Sequence, residues 1–286
     1  MANASASGTF DLGGDLTVHR LGFGAMRITG NGIWGPPRDR AAAVAVLRRA
    51  VELGVNLIDT ANSYGPNVSE ELIAEALHPY PEGLVIATKA GLTRQGPNRW
   101  SPKGDPDYLI AECEGSLRRL RLETIPLFQL HKPDPKVPLA EQVGALVTLQ
   151  QQGKIRHIGL SNVSVDEIGR AQELATVVSV QNRYNVDDRA AQAVLDLCEA
   201  EGLAFLPWAP VRDVDANREV AELARRRGAT PHQVVLAWLL AFSPVTLPIP
   251  GTGSVAHLEE NIAAVDVALT KAEVAALSGR SGGAAR

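Results

Sequence analysis

Residues 44–59 read Val-Ala-Val-Leu-Arg-Arg-Ala-Val-Glu-Leu-Gly-Val-Asn-Leu-Ile-Asp. Val44, Leu47 and Val51 fall on one face of a helix, because side chains three and four positions apart share a side. Gly54 closes that helix, and an apolar run ending in Asp59 follows at once. Glycine takes the left-handed backbone conformation that ends a helix, whereas a side chain resists it. The same junction recurs at Gln152-Gly153-Lys154 and at Glu201-Gly202-Leu203. A helix handed straight to a buried strand, repeated along a chain, is the grammar of a parallel sheet covered by helices.

Outward from this unit, strands are expected at 21–26, 56–59, 84–89, 125–130, 155–160, 177–181, 203–207 and 245–249. These runs are apolar nearly throughout, as in strands buried on both faces. Helix starts are marked by capping boxes at Ser164 with Glu167, Thr230 with Gln233 and Thr270 with Glu273, and Pro231 stands at a first helical position. Eight such units with no linker between halves predict an α/β fold, a closed (β/α)8 TIM barrel forming a single domain over 1–286. Residues 9–19, with Gly13-Gly14-Asp15 at their centre, predict a β-hairpin capping the barrel floor, and 270–278 an extra C-terminal helix. Residues 1–8 are expected to be a flexible tail.

Hydrophobic residues at 45% and charged residues at 21% exclude disorder and coiled coil. The longest apolar runs, such as 234–240, stop far short of the roughly 18 residues a membrane span needs. A net charge of −4 disfavours nucleic acid and anionic membranes as partners. Cys113 and Cys198 read as buried free thiols of a reducing, cytoplasmic protein, and no basic segment followed by an apolar core opens the chain. Arg far outnumbers Lys and Ala is abundant, the usage of a GC-rich bacterial genome.

In a barrel of this kind the reacting groups sit where strands end. Those ends carry Asp59 with Tyr64 close behind, Lys89, His131, Ser161-Asn162 and Gln181. An acid, a base and an imidazole thus reach one rim with a phenol nearby. A Lys ammonium beside a carboxylate stays charged, and a cation beside a phenol is expected to pull the Tyr64 pKa down from about 10. Tyr64 then becomes a general acid able to protonate a carbonyl oxygen as hydride reaches the carbon. The three-ligand spacing of a zinc site is missing, so no metal is expected. Gly22-Phe-Gly24 opens like a dinucleotide fingerprint, but Arg27 stands where the third glycine belongs and no helix follows directly.

The segments Leu21-Gly-Phe-Gly-Ala-Met, Gly54-Val-Asn-Leu-Ile-Asp-Thr-Ala-Asn-Ser-Tyr-Gly, Ala87-Thr-Lys-Ala-Gly, Leu130-His131, Ile158-Gly-Leu-Ser-Asn and Ile249-Pro-Gly-Thr-Gly-Ser occur in that order. Together they resemble the aldo-keto reductases over about residues 8–278. The resemblance implies a catalytic tetrad of Asp59, Tyr64, Lys89 and His131 with Tyr64 as proton donor, and an NADPH cofactor lying across the barrel mouth. It implies carboxamide contacts at Ser161, Asn162 and Gln181, a nicotinamide-stacking ring at Tyr184, and a pyrophosphate loop at Trp208. Phosphate contacts are implied at 251–254, where free N–H groups open a helix, and adenine contacts at Glu260 and Asn261.

Where many members carry Lys and Arg for the adenosine 2′-phosphate, this chain has Gly251 and His257. The phosphate is then expected on Thr252, Ser254 and His257, with a softer preference over NADH. Trp34 and Trp100 are candidate walls of the substrate pocket. The segments Gly35-Pro-Pro-Arg-Asp-Arg and Pro248-Ile-Pro-Gly-Thr-Gly-Ser-Val-Ala-His-Leu resemble a bacterial subgroup that includes pyridoxal reductases, which suggests an aromatic aldehyde substrate. A cofactor-sensing regulatory subunit of the same fold is the alternative; it would bind NADPH tightly with little turnover. A Schiff-base enzyme using Lys89 is a third reading, in which Asp59 and Tyr64 have no needed role. The oligomeric state is not legible.

Overall fold

The computed structural model describes residues 2–212 and 214–279. A hairpin of β1 (Thr9–Leu12) and β2 (Leu16–His19) precedes the sheet strands β3 (Phe23–Gly24), β4 (Leu57–Asp59) and β5 (Val85–Ala90). A second hairpin, β6 (Leu92–Gly96) and β7 (Arg99–Pro102), follows. The sheet then continues through β8 (Ile125–Leu130), β9 (Ile155–Ser161), β10 (Val177–Gln181) and β11 (Ala204–Phe205). Its order is β11-β10-β9-β8-β5-β4-β3, parallel throughout. Among the described residues the expected eighth strand forms no ladder and makes only an isolated bridge from Thr246 to Phe205. Pro248 and Pro250 have no N–H to offer. The segment still closes the ring, because Leu247 N donates to Phe205 O while Pro248 and Pro250 carbonyls accept from Gly22 N and Gly24 N. The first strand is likewise shorter than expected, turning into a 3-10 helix at Ala25–Ile28.

Helices α1 (Arg40–Glu52), α2 (Val68–Leu77), α3 (Pro106–Leu120), α4 (Leu139–Gln151), α5 (Val165–Gln172) and α6 (Gln192–Glu201) cover the sheet after successive strands. After β11 come two helices, α7 (Arg218–Arg227) and α8 (Pro231–Phe242), then α9 (Val255–Ile262) and α10 (Lys271–Ser278). All three capping boxes form, and Asp39 caps α1 by accepting from Ala42 N at 2.9 Å. α1 buries Ala43, Val44, Leu47 and Ala50, one stripe at helical spacing.

The interior of the ring is filled by Leu57, Val85, Leu127, Val178, Leu206 and Leu247, and Leu12 and Val18 of the first hairpin pack against them from below. Asp15 at the hairpin turn meets Arg156 and His157 on β9, which pins this plug to the floor. Residues 2–8 are not the frayed tail expected. Ala4–Ser7 form a 3-10 turn, Ala4 is fully buried, and its N–H donates to Leu53 O at 2.8 Å. Met1 of that expected tail, and 280–286 of the expected domain, lie outside the described residues. Among the described residues no helix is long and apolar enough to cross a membrane.

Gly54 holds φ +82°, and a Cβ placed there would sit 2.1 Å from Asn3 Oδ1. Gly54→Ala is therefore expected to lower the unfolding free energy by at least about 1–2 kcal/mol, read by chemical denaturation.

Candidate active site

β4 and β5 run in register with Asp59 opposite Ala87, and Ala87 and Lys89 share a face of the pleat. Lys89 therefore enters the barrel mouth beside Asp59. Its ammonium is fully buried and donates to Asp59 Oδ2 at 2.7 Å, to Thr60 O at 2.8 Å and to Tyr64 Oη at 3.5 Å. An ammonium has three protons, and each finds an acceptor. The other oxygen of Asp59 accepts from Gln181 Nε2 at 2.8 Å and from Gln129 Nε2 at 3.3 Å. Across the same level of the sheet Lys89, Gln129, Gly159 and Ser179 stand side by side.

The loop after β4 brings Tyr64 over this pair. Thr60 N and Asn62 N extend the ladder onto Ala87 O and Lys89 O, and Tyr64 N turns back on Ala61 O. His131, at the end of β8, is buried, its ring centroid 5.8 Å from that of Tyr64, with Ser63 Oγ 3.3 Å from Nδ1. The structure thus brings Asp59, Tyr64, Lys89 and His131 into one cluster.

Electrostatics correct one expectation. The Tyr64 pKa is raised, not lowered: burial outweighs the opposing pull of Lys89, and Asp59 adds to the rise. Burial by itself would lower the Lys89 pKa, but Asp59 and Tyr64 overcome it and the value is raised. Tyr64 is thus a phenol and Lys89 an ammonium at neutral pH. His131 is held well below 6.5 by burial first, then by Lys89 and Arg94, and is neutral.

Asn162, in a left-handed conformation at the end of β9, donates to His131 O and Ser161 Oγ, and its Oδ1 accepts from Trp208 Nε1 at 3.1 Å. Ser161, Asn162 and Trp208 therefore lie together beside the cluster. Gln181 is turned toward Asp59. Tyr184 is not at the mouth: it is fully buried behind the wall, stacked on Trp238 at 6.1 Å, with its hydroxyl donating to Gln192. Its ring has no face left for a ligand, so the stacking role expected of it is withdrawn. Trp100 edges Tyr64 and His131 at 6.3 and 6.4 Å, and Trp34 is 38% exposed at the rim.

At the start of α9, Ser254 caps the helix and its N–H donates to Thr252 Oγ1. Gly251 lies against the Gly24 carbonyl, where a Cβ would approach to 2.5 Å. Only bare backbone fits there, which leaves an open turn ahead of a helix N-terminus, a cradle suited to phosphate. His257 is exposed beside it. Glu260 is engaged by Thr230 and Gln233 of the α8 cap, and Asn261 is largely buried. The donor set at both ends fits a nicotinamide dinucleotide. Among the described residues no group of His, Cys, Asp or Glu is placed to hold a metal ion.

Two residues went unremarked in the sequence. Gln129 carried a usable signal, a polar residue two before His131 in an apolar strand and so on the same face. Arg94 carried none, since its partners lie in loops whose paths no periodicity records.

Lys89→Met alone leaves the Asp59 carboxylate buried without its cation. It is expected to lower the unfolding free energy by about 3–5 kcal/mol, and adding Asp59→Asn should recover part of that loss in denaturation experiments. Below about pH 6.5 an unfolded histidine takes up a proton that native His131 refuses. Stability is therefore expected to fall as pH drops from there toward the depressed native pKa, and His131→Asn should remove that slope, at most about 1.4 kcal/mol per pH unit.

A family model described as "Aldo/keto reductase family" matches residues 20–280. An oxidoreductase of Schizosaccharomyces pombe is 48% identical over 271 residues, covering 94% of this chain and 88% of that protein. Pyridoxine 4-dehydrogenase of Escherichia coli is 42% identical over 284 residues, 96% of this chain and 99% of that one. A crystal structure of an aldo/keto reductase from Klebsiella pneumoniae, in complex with NADP and acetate, superimposes with a TM-score of 0.80 at 26% identity, covering 95% and 94% of the two chains. With the barrel, its floor hairpin and the buried cluster at its mouth, these likenesses assign the chain to the aldo/keto reductase family, as an NAD(P)H-dependent oxidoreductase.

Proposed function

We propose that the protein reduces an aldehyde or ketone to an alcohol with NADPH, and that Tyr64 donates the proton. The observation that carries this reading is the buried ammonium of Lys89, held between Asp59 Oδ2 at 2.7 Å and Tyr64 Oη at 3.5 Å. A substrate carbonyl oxygen seated between Tyr64 and His131 accepts the phenolic proton as its carbon is reduced. The phenolate left behind faces a cation already in place, so the charge that develops needs no reorganisation. Asp59, itself steadied by Gln181 and Gln129, keeps that cation charged. His131 is neutral; in the tautomer where Ser63 Oγ–H donates to Nδ1, the proton sits on Nε2, which can donate to the same substrate oxygen.

NADPH, when bound, supplies the hydride to the carbonyl carbon. Ser161 and Asn162 would hold its nicotinamide end, Trp208 would lie beside its pyrophosphate, and the 251–254 turn would take its phosphates. Thr252, Ser254 and His257 would take the 2′-phosphate in place of a Lys–Arg pair, leaving NADH a weaker but usable substitute. The likeness to a pyridoxine 4-dehydrogenase, with the Trp100 indole beside Tyr64, favours a small aromatic aldehyde such as pyridoxal. Cys113 and Cys198 are both free, and burial pushes both thiols up to about 12, in keeping with a reducing, cytoplasmic setting.

The test is consumption of NADPH against a panel of aldehydes and ketones that includes pyridoxal. Tyr64→Phe is expected to lower kcat by about 10²–10⁴-fold, while NADPH affinity, read by fluorescence titration, stays within about twofold because the hydroxyl is reserved for the substrate. Turnover by this variant near the wild-type rate would refute the assignment of the proton donor.

A further inference from the structure

Arg94, on the second hairpin, spends its whole guanidinium on neutral groups. Nη1 donates to Ile33 O at 2.6 Å and to Ser63 O at 3.0 Å, Nη2 to Gly32 O at 2.8 Å and to Gly96 O at 3.2 Å, and Nε to Arg99 O at 3.3 Å. Among the described residues no carboxylate pairs with it. Its Cζ lies over the Trp100 ring, 3.6 Å from the centroid, and 5.8 Å from the centroid of Trp34. One side chain therefore ties together the loop after β3, the catalytic loop at Ser63 and the tip of the β6–β7 hairpin.

None of these pieces is stiff by itself. The loop that carries Trp34 contains Gly30, Gly32 and Gly35, with Ile33 at φ +57°. Among the described residues β6 and β7 pair only with each other, and a two-stranded hairpin alone is marginally stable. Yet these segments present the Trp100 indole, which edges Tyr64 and His131, and Trp34, whose backbone bridges to Gly65 next to Tyr64. The Ser63 that Arg94 grips by its carbonyl also places its hydroxyl against His131 Nδ1.

We propose that Arg94 is a positioning residue that builds the substrate slot. By stapling three loops and stacking on Trp100, it holds the two tryptophans as walls, so that a flat aromatic aldehyde is preferred over a small aliphatic one. This inference rests on the reductase reading above. A planar fork is required, because a point charge on a flexible stem cannot serve five separated carbonyls or stack on an indole. Aliphatic aldehydes reach Tyr64 without using the walls, so they feel the staple only through Ser63 and His131 and lose less.

The experiment compares wild type with Arg94→Lys and Arg94→Met, using benzaldehyde, pyridoxal and propanal. Both variants are expected to raise KM for the aromatic aldehydes by about tenfold or more, at least about fivefold more than any rise for propanal, with NADPH affinity within about twofold of wild type. Arg94→Lys keeps the charge, so its failure to rescue separates the fork from simple electrostatics. Equal changes for aromatic and aliphatic substrates, or none, would overturn the proposal, as would full rescue by lysine. A substrate-free measurement distinguishes this inference from the reductase reading. Acrylamide quenching of tryptophan fluorescence should rise in Arg94→Met, and the rise should vanish when Trp100→Phe is added. Unchanged quenching sinks the staple even if aldehydes are reduced. A rise in a protein that reduces no carbonyl sinks the reductase reading and leaves the staple standing.

Discussion

The ammonium of Lys89 is sealed inside the barrel mouth, and the surrounding structure follows from keeping it charged there. Moving a cation out of water costs several kcal/mol unless its protons are all bonded and a counter-charge stands close. Here each proton has an acceptor: the Asp59 carboxylate, the Thr60 carbonyl and the Tyr64 hydroxyl. The Asp59 carboxylate is relieved in turn by two amide donors from β8 and β10. Four strands are thereby committed to one register. A slip of one residue in β5 would turn Lys89 outward into the apolar helix layer, where nothing would meet its charge.

Above and below this pair the barrel is divided by chemistry. Below, aliphatic side chains fill the ring and the first hairpin seals it with Leu12 and Val18. At the level of the ammonium the ring turns polar, and Gly159 makes room for this: a Cβ there would lie 2.3 Å from Ser179 Oγ and 2.9 Å from the Gln129 side chain. An apolar floor keeps water from the charges and a polar upper layer satisfies the ion pair, so it acts in a low dielectric; Gln129 Oε1 and Ser179 Oγ of that layer are buried without a hydrogen-bond partner among the described residues. The same burial explains why Tyr64 is held above the ordinary phenol pKa despite a cation at its oxygen. That suits a proton donor: the phenol remains protonated until a substrate oxygen arrives, and the cation then favours the departure.

Most of the barrel was legible because its signals are local. Gly54, Gly153 and Gly202 all take the left-handed conformation their positions predict, and the capping boxes at Ser164, Thr230 and Thr270 all form. Propensity failed where tertiary contact decides. Small polar residues at the start of the chain read as a tail, yet Ala4 is locked under α1 by a hydrogen bond to Leu53. The 245–249 run reads as a strand, but its neighbouring prolines leave it joined to the ring by scattered bonds rather than a ladder. The β6–β7 hairpin has no strong alternation and escaped notice.

The order of residues alone determined which side chains end the strands, and so that Asp59, Lys89 and His131 would share a rim, because a parallel barrel delivers every strand end to the same face. What only the tertiary structure decided was which way each ring faces and which charge prevails. Tyr184 turned into the core, Gln181 and Gln129 turned to Asp59, and burial overcame the cation at Tyr64. Those outcomes depend on distances and desolvation between segments far apart in the chain, quantities that no local pattern encodes.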